Sequence, residues 1–563
     1  MPSVFAQTLA RINPRPTAGR RWLYVPYDQL SDELGPLSRE DPGTLGIVML
    51  ESPWKAELRP YHQQKLALVL ANGRHFALEQ ARRGVAVRHE VAWGPMREAL
   101  APLVDELGPL TVMEPAEREL RADLRPLVEA GALRVEPHEG WLTQADEFDP
   151  KGKGPPWRMD TFYRRVRKRT GLLMTNDGRY EGGKLSFDAD NRRPWRGDPP
   201  APEAPRFEPD PITREVGALV RDRFGHHPGR VDLGALPATY EDAQRLWQWA
   251  RQACLPCFGP FEDAMSRHAR GLFHTRVSPL LNLHRLRPAA LVQQVAEDKA
   301  LPLSSREGFV RQILGWREFV RHVHRATDGF RRGAPPPEVA PGDAGYEGWA
   351  GEPWPQSDPS GVADGGAAPD ALGAKALLPA AFWGRPSGLR CLDTVVESVW
   401  DEGYSHHITR LMVLCNIAAL LDISPRALTD WFWVAYIDAY DWVVEPNVLA
   451  MGTIGTGPVM TTKPYVCGAG YLARMSDYCE DCAFDPRRNC PLTPMYWAYL
   501  ARHRAALTGN PRLSLPLASL SKRPADRREA DARIFAHVAE RLARGQSVDP
   551  AELVAAEAGL RTR

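Results

Sequence analysis

Residues 44–51, TLGIVMLE, are followed by YHQQKLALVLANGRHFALEQARR at 61–83 and GVAVRHEV at 84–91. A short apolar run, a long helical pattern and a second short apolar run in succession predict a β–α–β unit, whose strands must lie parallel. The alternation continues outward to RWLYVPY at 21–27, PLTVMEP at 109–115 and ALRVEP at 132–137. It predicts an α/β region over residues 20–150 built on a doubly wound parallel sheet. Neither GxGxxG nor GxxxxGK[ST] occurs there, so the usual phosphate-cradling loops are absent, while the strand ends leave room for a small aromatic ligand. The first twenty residues are expected to be loose.

The chain of 563 residues exceeds one ordinary hydrophobic core and suits two to four domains. With 43% hydrophobic and 25% charged residues, wholesale disorder, collagen and coiled coil are excluded. A net charge of +1 predicts no bulk attraction to nucleic acid or anionic membrane, so a charged partner needs a local patch. Such a patch follows the sheet region: residues 101–150 carry 4 basic and 12 acidic side chains, residues 151–200 carry 13 and 6. Arg164, Arg165, Arg167, Lys168 and Arg169 are its densest part, suited either to DNA phosphates or to clamping the acidic sheet region. No long apolar run or secretory signal is evident, so a cytoplasmic protein without membrane contact is expected.

A basic segment and proline-rich connector are expected over 151–225, a helical domain over 226–520 and a helical tail over 521–563. Residues 334–374, too rich in glycine and proline for regular structure, read as a loop insertion.

Cys479, Cys482 and Cys490 place three thiols within twelve residues. With a fourth ligand from Cys391, Cys415 or Cys467 they suit zinc or an iron-sulfur cluster, and spacing does not choose between these or free thiols. Cys254 and Cys257 form a separate CxxC. In GYSHHITRLMV, His406, His407 and Arg410 share adjoining helical turns, which suits proton chemistry or a pair of hydrogen-bonded core histidines. Asp438, Asp441 and Glu445 offer one acid to pair with Arg410. Seventeen tryptophans, among them Trp383, Trp400, Trp431, Trp433, Trp442 and Trp497, mean core packing or an electron relay.

In order along the chain, YDQLS, MLESPWKAELRPYHQQKLALVL, MDTFYRRVRKRTGLLM, FDADNRRPW, LFHTRVSPLLN, GWREFVRH, LPAAFWG, GYSHHITRLMV and TTKPYVCGAGYLARMSDYC resemble the photolyase and cryptochrome superfamily. Within it they resemble the iron-sulfur bacterial branch, the prokaryotic (6-4) photolyases. The resemblance implies an N-terminal α/β antenna domain and an all-α domain holding a U-shaped FAD. It implies a [4Fe-4S] cluster on Cys391, Cys479, Cys482 and Cys490. FAD contacts would fall on His274, Thr275, Ser278 and Arg317 at the phosphates, and on an Arg410–Asp441 pair with Asp438 near the ring or adenosine. Glu445, or alternatively Asn447, would face flavin N5. His406 and His407 match the paired active-site histidines, and Tyr465 and Tyr471 the lesion-pocket tyrosines. Trp383 and Trp431 match the photoreduction chain, where Phe432 stands in place of a proton-losing phenol. The antenna would be 6,7-dimethyl-8-ribityllumazine, contacted by Asp28, Gln29 and Glu51. The activity implied is light-driven reversal of (6-4) photoproducts in UV-damaged DNA by a monomer. The competing readings are a cryptochrome-like photoreceptor and an iron-sulfur DNA-binding protein without photochemistry.

Overall fold

The computed structural model describes residues 3–14, 19–332, 366–461 and 463–558. Most of the expected 334–374 insertion therefore lies outside the described residues.

Five parallel strands form one sheet: β1 (Arg21–Tyr24), β2 (Leu45–Glu51), β3 (Ala86–Val91), β4 (Leu110–Met113) and β5 (Leu133–Glu136), in the order β3-β2-β1-β4-β5. The quoted runs are these strands. β2 is nearly continuous in buried side chains, as a strand covered on both faces must be. The Gln63–Arg83 helix crosses from β2 to β3 and stops at Gly84, whose φ of +96° suits glycine. Gly46 pairs in register with Trp22, and a Cβ there would lie 2.5 Å from the indole, so this position must stay bare.

The N-terminus departs from expectation. Instead of a loose segment, Val4–Ile12 is a helix capped by Ser3, with Phe5 and Leu9 buried. Asn13, just after it, bonds Val87 through both amide atoms and so covers part of the β3 edge.

The rest of the described chain is helical, and polar bonds join it to the sheet region. Lys65, buried in the long helix, donates to the Trp433 and Ala439 carbonyls at 3.0 and 2.6 Å. Thr143 donates its amide and hydroxyl to Glu318. No helix among the described residues is long and apolar enough to cross a membrane.

Candidate functional site

The GYSHHITRLMV segment enters a wide, π-type helical stretch at Thr409–Cys415, and similar stretches occur at Arg311–Arg317 and Glu445–Gly452. Such turns re-aim side chains and concentrate at functional sites. Three imidazoles meet beside the first of them. His274 stacks on His406 with ring centroids 4.2 Å apart, and His407 meets His274 edge-on at 5.3 Å. Burial first, then the neighbouring imidazoles and Arg276, pushes His274 well below its ordinary pKa, and His406 falls likewise with Arg410 also opposing its charge. His407 is lowered mainly by burial.

Beside them Arg410 forms a two-pronged pair with Asp438, both N···O distances being 3.0 Å. Ser278 donates to the same carboxylate at 2.6 Å, and Asn282 holds the Asp438 carbonyl at 2.9 Å. Burial works against the Arg410 charge, but Asp438 outweighs it and raises the pKa. Arg317 reaches Asn282 and the Leu281 carbonyl and lies over the Trp141 ring at 4.2 Å. Burial brings it down to about 10. Thr275 is half-buried in the same segment.

His274 Nε2, His406 Nδ1 and Arg317 Nη1 are buried without a hydrogen-bond partner among the described residues, and a polar ligand would relieve this. The donor set therefore fits a flavin dinucleotide.

Three residues expected at the flavin are engaged by partners within the chain. Asp441 does not pair with Arg410: it accepts the Arg118 and Glu119 amides and so caps the Arg118–Glu129 helix of the sheet region. Glu445 is bound by Arg426 at 2.7 Å and His324 at 2.8 Å, contacts that outweigh burial and hold it at about 2. Asn447 donates to Val443 within its own helix.

Tyr465 and Tyr471 are half-buried, and burial raises both phenols. Asp188 and Arg192, from the FDADNRRPW stretch, act electrostatically on Tyr465, and Asp188 also acts on His407. One polar neighbourhood thus links one of these tyrosines to the histidines.

Trp383 and Trp431 are joined by Trp400, another of the tryptophans that suit core packing or a relay. Trp383 stacks on Trp400 at 5.2 Å, Trp400 meets Trp431 edge-on at 5.7 Å, and Trp431 meets Tyr436 at 6.1 Å. Arg410 lies over the Tyr436 ring at 4.1 Å. The row thus runs outward from Trp431 through Trp400 and does not need Phe432.

A cavity of about 330 Å³ opens at the carboxyl ends of β1, β2 and β3, where open α/β sheets take ligands. Tyr27, Tyr61, Trp433 and Tyr440 supply aromatic walls, and Lys55 and Lys65 supply ammonium groups. Of the three expected antenna contacts only Glu51 lines it, and Glu51 is already held by Arg74 at 2.6 and 2.9 Å. Asp28 and Gln29 are outside the lining: Leu30 and the Asp28 carbonyl turn toward the helical part, to the Leu283 carbonyl and the His284 ring, while Gln29 bonds the Met113 carbonyl of β4. Burial lifts Asp28 to about 7.

Cys391, Cys479, Cys482 and Cys490 line one small cavity, and the other three thiols act electrostatically on Cys391. Among the described residues no group of three or more His, Cys, Asp or Glu is arranged to hold a metal ion. Four thiols around one space are nevertheless the donor set that soft metals take.

The basic helix Met159–Thr170 divides its cations. Arg167 is only 1% exposed and donates to three carbonyls, of Leu172, Leu173 and Leu185, so it cannot meet DNA. Arg165 donates to the Glu147 carbonyl and Arg169 pairs with the Glu147 carboxylate, which makes both of them clamps. Arg164 and Lys168 are exposed.

The residues that sequence reading passed over are Asn282 and Tyr436. Asn282 was accessible, since it stands one turn after Ser278 on the same helix.

Comparison with known proteins bears on the fold and the family. The family model "Deoxyribodipyrimidine photo-lyase-related protein" matches residues 23–234. A protein named (6-4) photolyase from Agrobacterium fabrum (strain C58 / ATCC 33970) is 31% identical over 517 residues, which is 89% of this chain and 95% of the relative. Among solved structures, a bacterial class III photolyase from Agrobacterium tumefaciens superposes with a TM-score of 0.52 at 14% identity, covering 94% of this chain and 99% of that one. A Synechocystis sp. PCC6803 cryptochrome gives 0.50 at 14%, covering 92% and 100%. At that identity the two structures speak for the fold alone. The long relative carries the family assignment: the chain belongs to the photolyase and cryptochrome family.

Proposed function

We propose that the protein is a light-driven enzyme that reverses (6-4) pyrimidine photoproducts in DNA, with FAD held between the His274–Ser278 segment and the Arg410–Asp438 pair. The observation that carries this reading is the three-imidazole cluster packed beside that ion pair. Proteins of this family generally bind FAD. Bound, reduced and excited by blue light, the flavin supplies the electron.

The chain's own residues do the rest. Arg410, fixed in plane by Asp438 and by the Ser405 carbonyl, would turn one remaining Nη–H to the polar edge of the ring. Thr275 and Arg317 suit the pyrophosphate, while the Ser278 hydroxyl is spent on Asp438. His406 and His407, kept neutral by burial, each present one N–H and one lone pair, so His407 holds or passes a proton without carrying a standing charge. Tyr465 and Tyr471, kept protonated, donate hydrogen bonds to a base turned out of the duplex. Arg164 and Lys168 contact backbone phosphates. In this reading the four cysteines hold a [4Fe-4S] cluster away from the chemistry, and the 330 Å³ cavity takes a lumazine antenna.

The test is His407→Ala in flavin-loaded, reduced protein. Repair of a (6-4) oligonucleotide by the native protein and its loss in the variant, with flavin absorbance retained, is expected. Equal repair by both would remove the histidine's role.

A further inference from the structure

A second cavity, of about 90 Å³, opens past the carboxyl ends of β4 and β5 and faces the Glu318–Ala326 helix. Its wall carries three guanidinium groups, Arg121, Arg321 and Arg325, and the imidazole of His138.

The carboxylates nearby leave this charge only partly answered. Glu114 pairs with Arg325 at the mouth. Glu318 is shared between Arg321 at 3.5 Å and Arg317 at 3.8 Å, and also accepts the amide and hydroxyl of Thr143. Asp441, which acts on Arg121, is committed to the Arg118 and Glu119 amides. Burial, then repulsion from Arg325, brings Arg121 down to about 10, and burial lowers Arg321 as well.

Two donors are also left over. His138 is 8% exposed, and its Nδ1 accepts the Gly140 amide at 3.0 Å, so in the neutral ring the proton sits on Nε2. That N–H has no partner among the described residues, and neither has the buried Nε–H of Arg321. Buried donors without acceptors are costly, and cations packed together add to the cost, so the group that satisfies this space is an anion with several acceptor oxygens. A cavity of about 90 Å³ admits a tetrahedral oxyanion.

We propose that this cavity is a binding site for a phosphate-type oxyanion, either the free ion or the terminal phosphoryl group of a small nucleotide.

Calorimetric titration of the flavin-loaded protein with inorganic phosphate, at ionic strength held constant with chloride, tests it. One saturable site is expected, weakened at least about tenfold in Arg121→Gln and in His138→Phe while flavin content stays native. AMP and ATP form the second arm: binding at least about tenfold tighter than phosphate assigns the site to a nucleotide phosphoryl group, and equal or weaker binding assigns it to the free ion. No heat of binding, or binding unchanged in both variants, overturns the proposal. Binding seen only in apoprotein and lost on loading FAD also overturns it, because the cavity would then belong to the flavin site.

Discussion

Arg410 and Asp438 meet through two parallel N–H···O bonds of 3.0 Å, 28 positions apart in sequence. Ser278 and Asn282 fix the aspartate from a third element. Removing the carboxylate would leave a buried guanidinium unanswered, a loss on the order of 3 kcal/mol. Asp438→Asn should therefore lower the denaturant midpoint and the flavin-to-protein ratio together. Serine in place of Asn282, which bonds the Asp438 carbonyl and Arg317, should cost less by both measures.

The ring contacts of Trp400 with Trp383 and Trp431 make it a bridge in the aromatic row. Trp400→Phe should slow photoreduction of oxidised flavin by an external thiol at least about tenfold, which corresponds to about 1.4 kcal/mol in the barrier. Repair by chemically reduced protein should keep its native rate. Unchanged photoreduction would place the electron's route elsewhere.

Arg167 and its neighbours on the basic helix should separate cleanly. Arg167→Ala removes a buried guanidinium serving three carbonyls and should cost about 2 kcal/mol or more of stability, read from denaturant unfolding. The double variant Arg164→Ala with Lys168→Ala should leave stability unchanged but reduce the salt slope of DNA binding by about 2. A slope equal to that of the native protein would exclude this face from the DNA contact.

Acid should destabilise the fold through histidines that are buried neutral. His62 falls from 6.5 to about 4 and His284 to about 3, in each case chiefly by burial. Between those values the unfolded chain binds the proton and the folded chain refuses it. Stability is therefore full above pH 6.5 and declines as the pH falls toward 4, by about 3 kcal/mol for His62 alone. Urea midpoints at pH 7, 6 and 5 should drop in that order, and a flat profile would contradict the burial of these rings.

Much of this architecture was legible in the chain because its signals are local. The runs around Leu45–Glu51 and Ala86–Val91 are β-branched and short, the helix between them has a helical period, and together they allow little but a parallel sheet. The histidine, arginine and cysteine sets were legible as motifs. Pairing was not, because it depends on which turn faces which. Asp438 and Asp441 are equally good acids on paper, yet only Asp438 points to Arg410, whereas Asp441 is spent on a helix of the sheet region. Arg167 reads as one cation among five and is buried, since charge runs carry no mark of which residue faces inward. The helix Val4–Ile12 is hard to read from sequence because nine residues of pattern between prolines resemble a tail, and its burial comes from packing.

The central claim is that this site reverses one class of UV lesion with light. Flavin-loaded, reduced protein should be illuminated with oligonucleotides carrying a single (6-4) photoproduct or a single cyclobutane dimer, with dark controls, and the intact strand separated by chromatography. The account predicts restoration of the (6-4) strand in light only and none of the dimer. Recovery of neither strand, with flavin bound and reduced, would contradict it and leave a photoreceptor as the reading.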